Sequence, residues 1–201
     1  IEQQRAMGWE TFHVTGEKQG ATEASVEEVD GLVFYRTPAL SGLLARLPVV
    51  NQVAGIPRLE RTLRHVIEKV KPDILHAHSP ALNGVAALRA GARFDLPVVY
   101  EVRAFWEDAA VDHGTSKEWG ARYRLTRRLE TYVLGRANAV TTRCEGLRGE
   151  IIDRGIPADK VTVIPNAVDG KRFSMYGLVD SDLQSSLGLT GKTVLGFIGA
   201  F

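Results

Sequence analysis

The sequence predicts a Rossmann-like α/β fold, a doubly wound parallel sheet with helices on both faces. Three observations carry this. Short β-branched or aromatic stretches recur along the chain, helical stretches separate most of them, and the loops between are short. With 44% hydrophobic and 24% charged residues in 201, the chain has the composition of a globular protein with a sizeable core.

The elements follow in order. "WETFHVT" (9–15) and "GLVFYR" (31–36) read as strands, while 16–30 and 38–55 read as irregular loops. "PRLERTLRHVIEKV" places Leu59, Leu63, Val66, Ile67 and Val70 on one stripe of a helix. The strand "DILHAH" (73–78) leads into "SPALNGVAALRAGARF", a helix with Ser79 as its cap and Pro80 at its first position. "PVVYEV" (97–102), "NAVTT" (138–142) and "KVTVIP" (160–165) are further strands, with the helical "RYRLTRRLE" before the second of these.

From Asn166 the character changes. Turn residues, a short amphipathic piece and the apolar "TVLGFI" (193–198) read as a connector leading into another domain. The domain reading is therefore 1–165 as the α/β domain, 166–192 as connector and 193–201 as the first strand of a second, truncated domain.

A net charge of +1 provides no global field for nucleic acid or an anionic membrane. The lone Cys144 excludes an internal disulfide and fits a reducing compartment, with the cytosol as the default. No run is long enough to span a bilayer, and "IEQQRAMGWE" has no basic n-region followed by an apolar h-region. It reads as the last turns of a helix already under way.

Ligands of open α/β sheets bind at the carboxyl ends of strands. His76 and His78 share one strand face, with a helix N-terminus just beyond that suits a phosphate. A metal, a structural histidine pair and a cleft role for His78 are the competing readings. Zinc wants a further close ligand and no second His or Cys cluster is offered, so no metal is expected, and His76 is assigned to the core. In "YEVRAFWED", Glu101 and Arg103 share a face at a strand end and Trp106, Glu107 and Asp108 follow. Arginine suits phosphate or carboxylate, and tryptophan beside carboxylates suits a sugar; the alternative is a Glu–Arg ion pair that steadies the loop.

Other motifs carry less. "GLTGKT" has Ser186 where a P-loop needs its leading glycine, and it precedes a strand instead of following one. A Gly-x-Gly-x-x-Gly fingerprint is absent. Arg122, Arg124, Arg127 and Arg128 form a basic helix face, suited either to solvent or to an anionic lipid surface at the inner face of a membrane. Cys144 suits a packing or capping role better than a reactive one.

The blocks "PDILHAHSPALNG", "LPVVYEVRAFWEDAA", "ANAVTTRCEGLRGEIIDRGIPADKVTVIPNAVDGKRF" and "VLGFIGAF" resemble, in order and spacing, the amino-terminal half of a family 4 retaining glycosyltransferase of the GT-B fold. "YEVRAFWEDAA" is similar to the subgroup associated with exosortase and PEP-CTERM exopolysaccharide loci. The resemblance implies an acceptor-side domain and a donor domain that begins at "TVLGFIGAF". It also implies a fragment whose start lacks the family's first strand and glycine-rich loop, leaving two sheet edges open and the chain marginally stable and inactive alone.

The implied substrates are a nucleotide-sugar donor and a glycan or lipid-linked acceptor, with no cofactor, no metal and no nucleic acid. His78 falls on the family's cleft-facing position, Arg103 where many members have histidine, and Cys144 where serine is usual. His78 and Arg103 are thus the candidate catalytic contacts. Glu101, Trp106, Glu107, Asp108 and Asn166 are the candidates for substrate binding. The alternatives are a GT-B nucleotide-sugar epimerase, which would alter a sugar nucleotide without any acceptor, and a non-catalytic glycan-binding domain.

Overall fold

The computed structural model describes residues 1–16, 25–39, 48–170 and 179–196. The chain divides into two units, Ile1–Pro165 and Asn166–Phe201. In the first, α1 (Glu2–Ala6), β1 (His13–Thr15), β2 (Val26–Val29), β3 (Leu32–Arg36), α2 (Pro48–Val70), β4 (Leu75–His78) and α3 (Ala81–Phe94) follow in order. Then come β5 (Val98–Val102), α4 (Trp106–Asp112), α5 (Ala121–Arg136), β6 (Ala139–Thr142), α6 (Glu145–Asp153), a 3₁₀ turn (Ala158–Lys160) and β7 (Val161–Val163). The second unit contains α7 (Ser181–Ser186), capped by Asp180, whose carboxylate accepts from the Leu183 N–H at 2.8 Å.

The strands form two sheets. One is parallel throughout, in the order β4-β5-β6-β7; the other is mixed, in the order β1-β3-β2. Along β5, Val98, Tyr100 and Val102 are buried while Val99 and Glu101 are half-buried, and β4 alternates in the same way. Helix α3 lies on the buried face and packs on α5, with α2 against α3. The predicted stripe holds: Leu59, Val66 and Ile67 are buried, and Leu63 packs on the core.

Gly84 makes the close approach possible. A Cβ there would lie 2.4 Å from Val133 Cγ1 and 2.9 Å from the Tyr100 ring, so any larger residue forces α3 away from its neighbours.

Two stretches read as irregular contain regular structure. β2 lies inside 16–30 and pairs antiparallel with β3 through a turn at Asp30 and Gly31, with φ of 53° and 73°. Positive φ at both central residues is the type I′ hairpin geometry that Asp-Gly favours. Residues 48–55 belong to α2, which contains Pro57 instead of starting there. Proline removes one helix hydrogen bond, a loss that packing on α3 outweighs here. Thr193–Gly196 form no strand, and 197–201, the rest of the stretch read as a final strand, lie outside the described residues.

Candidate functional site

The parallel register sets His76 beside Val99 and His78 beside Glu101. Because strand side chains alternate, both histidines and Glu101 project from the face opposite α3. Glu101 is the hub. Its Oε2 lies 3.1 Å from His76 Nε2 and 3.4 Å from His78 Nδ1, while its Oε1 accepts from Arg103 Nε at 2.7 Å. The bonds from His76 and then His78, with a smaller one from Arg103, hold the Glu101 carboxyl far below the usual carboxylate range against the opposing effect of partial burial.

The backbone fastens this group to the start of α3. The Ser79 N–H donates to the Glu101 carbonyl at 2.9 Å, and the Arg103 N–H donates to Ser79 Oγ at 3.3 Å. Asn83 Nδ2 donates to the His78 carbonyl at 3.1 Å. Ser79 is therefore not the helix cap. Pro80 occupies that position without a side-chain bond, and the Ser79 hydroxyl serves Arg103 instead.

The other candidates separate. Trp106 opens α4 and is 48% exposed. Glu107 is enclosed, with Arg154 Nη1 at 2.8 Å from its Oε1, so its charge is used inside the fold. Asp108 accepts from Tyr123 Oη at 2.7 Å and ties α4 to α5. Burial, and then Asp108, push the Tyr123 hydroxyl up to about 12. Asn166 is exposed at the start of the second unit.

Sequence reasoning placed His76 in the core, whereas its side chain is 36% exposed and joins the cluster. The available signal was the two-residue spacing to His78, which obliges both rings to share a face. Cys144 is exposed at the cap position of α6 and makes no side-chain cap bond.

The basic helix is α5. Tyr123, Glu130, Val133 and Leu134 are its buried side, and Arg122, Leu125, Arg128 and Tyr132 face outward. Arg127 belongs to neither set. It pairs with Glu150 at 3.1 Å and stands 5.7 Å from the Trp119 ring centroid. Trp119, Arg124, Arg127, Arg128 and Thr131 line an open cavity of about 450 Å³. No helix among the described residues is long and apolar enough to cross a membrane.

Among solved structures, the chain is similar to sucrose-phosphate synthase from Thermosynechococcus elongatus, with a TM-score of 0.65 and 18% identity over 92% of this chain and 44% of that one. It is also similar to the UDP-N-acetylglucosamine 2-epimerase from Rickettsia bellii, with a TM-score of 0.48 and 17% identity over 82% of this chain and 38% of that one. The chain thus spans less than half the length of either. No curated protein matches it. The family model described as "Glycosyl transferase 4-like domain" matches residues 1–167, the whole first unit with its strand-end cluster. On that match and the fold shared with the synthase, this chain belongs to the glycosyl transferase 4-like family and has a GT-B glycosyltransferase domain.

Proposed function

We propose that the chain is the acceptor-side domain of a retaining glycosyltransferase. The enzyme would move a sugar from a nucleotide diphosphate sugar to a glycan or lipid-linked acceptor in exopolysaccharide assembly. The observation that carries this reading is the convergence of His78, Glu101 and Arg103 at the carboxyl ends of two neighbouring parallel strands, inside the unit that the family model matches.

The donor is assigned to a second domain. In the front-face substitution that the family resemblance implies, the acceptor hydroxyl gives its proton to the departing diphosphate as the new C–O bond forms. The transfer needs no metal. This domain's part is to bind and orient. Glu101 anchors Arg103 through Nε, leaving the exposed guanidinium edge for acceptor or phosphate oxygens. His78 adds a second polar contact, and the Trp106 indole offers a face to a sugar ring.

The test is the double substitution His78→Ala and Arg103→Ala in the enzyme with its donor domain. The expected result is kcat lowered at least about tenfold with the donor KM within about threefold. Unchanged kcat removes both residues from the site. An altered sugar nucleotide formed without acceptor would support epimerisation instead.

A peripheral contact with an anionic membrane completes the reading, supported by exposed apolar groups in α5 and just before it. Leu125 is 69% exposed, Trp119 54% and Tyr132 50%. Apolar rings that insert at the headgroup level beside cations are how interfacial helices bind. Co-sedimentation with phosphatidylserine vesicles should fall at least about fivefold in Arg122→Glu, Arg128→Glu and be lost in high salt. Equal binding by parent and variant would exclude this face.

A further inference from the structure

Counted along the sequence, the two histidines lack a third ligand. Pairing of β4 with β5 supplies one from 23 positions away. We propose that His76, His78 and Glu101 form a binding site for one divalent transition-metal ion, zinc being the best chemical match. The site goes beyond the glycosyl transfer proposed above and requires neither donor nor acceptor.

The geometry is specific. One ligand atom from each of His76, His78 and Glu101 lies within 4.8 Å of the others, and Glu101 Oε2 approaches both His76 Nε2 and His78 Nδ1. Around a tetrahedral ion with bonds of about 2.0–2.1 Å, ligand atoms stand roughly 3.3 Å apart. The two separations to Glu101, 3.1 and 3.4 Å, already have that length. The third separation, between the ligand atoms of the two imidazoles, is at most 4.8 Å and has room to adjust. Their ring centroids are 4.6 Å apart and both side chains are at least one-third exposed, so a small ring rotation meets little resistance.

The surroundings favour an ion over a bare hydrogen-bonded trio. The backbone positions of His78 and Glu101 are set by the ladder, so the ligands are held before any ion arrives. Arg103 occupies Oε1 and leaves Oε2 to the ion, the kind of outer hydrogen bond that orients a metal-binding carboxylate. Two imidazoles and one carboxylate suit zinc, cobalt, nickel or copper, whereas magnesium and calcium require oxygen ligands. Exposure on the strand-end face provides an entry path and leaves the fourth position to water.

Calorimetric titration of the metal-free full chain with ZnCl₂ at neutral pH, and Co²⁺ spectroscopy in parallel, test the site without any assay of activity. The expected result is one saturable ion per chain with a Kd of about 10 μM or tighter, and the intense visible bands of four-coordinate Co²⁺. His76→Ala and His78→Ala should each weaken binding at least about tenfold, with circular dichroism unchanged because both side chains are exposed. Glu101→Gln keeps the shape, removes the charged ligand and should weaken binding as much. His65→Ala, His113→Ala and Cys144→Ser should leave it unchanged. Absence of saturable binding below about 1 mM, or affinity that survives the double histidine variant, overturns the proposal.

Discussion

Arg154→Met is expected to lower stability by roughly 3–5 kcal/mol, about 10 °C in Tm for a chain of this size. Its guanidinium is enclosed between Glu107 and Glu150 and lies over the Phe105 ring, 3.6 Å from the centroid. Glu107 and Arg154 have side-chain exposures of 0% and 1%. The two approach to 2.8 Å off the direction of a hydrogen bond, so their attraction is Coulombic. Removal of the cation leaves a carboxylate in a buried interior that also holds Glu130. Glu107→Gln in the Arg154→Met background should restore about half of the loss, because the stranded charge is then gone. Urea denaturation of the parent, both single variants and the double variant measures this coupling. A single-variant cost below about 0.5 kcal/mol would show that the pair contributes nothing.

The second large effect is a stability that falls as pH rises from about 4.5 to 7. Glu130 is fully buried in α5 and accepts from Tyr100 Oη at 2.7 Å. Burial pushes its carboxyl up from the ordinary 4.5 to about 7, a rise that nearby Glu107 reinforces and that Tyr100, Arg154 and the Ala81 N–H oppose. Below the unfolded value both states hold the proton and the stabilisation is complete. Between the two values the unfolded chain has lost its proton while the folded one keeps it, and folding stability declines. Integrated over that interval, one such group accounts for about 3 kcal/mol. Glu101 acts in the opposite sense at the acid end, since its depressed carboxyl stabilises the fold above the ordinary carboxylate value and that stability is lost as pH falls. Midpoints of urea unfolding at pH 5 and pH 7.5 should therefore differ in the parent and converge in Glu130→Gln. Parallel pH dependence in both would assign the slope to other groups.

Much of the fold is legible in sequence because it depends on local pattern. The β-branched stretches of the first unit contain its strands, and Leu59, Val66 and Ile67 reach the core as the helical period requires. Two stretches were misread because punctuation was weighed without context. The pattern reads Asp30 as the end of a loop and Gly31 as the start of a strand, whereas the two form a hairpin turn flanked by Val29 and Leu32. Pro57 reads as a helix start, yet a helix packed along one side tolerates it inside.

The site was only half legible, for a related reason. Alternation puts His76 and His78 on one face and Glu101 with Arg103 on another strand's end, and these inferences need only neighbours in sequence. Which strand lies beside which, and in what register, is a long-range property. It turned four separately read residues into one cluster around Glu101 and moved His76 out of the core. Glu107 and Asp108 show the converse. Beside Trp106 they read as sugar ligands, yet the first turn of α4 aims Glu107 at Arg154 and Asp108 at Tyr123.

The sequence by itself determined the class of fold, the strand faces and the residue types available for chemistry, since these follow from periodicity and side-chain identity. Tertiary structure alone decided which charges meet inside, which meet at the strand ends, and which helix face stays in solvent. The physical reason is that burial and Coulomb attraction act between residues that are close in space, and the pairs His78–Glu101 and Glu107–Arg154 stand 23 and 47 positions apart in sequence.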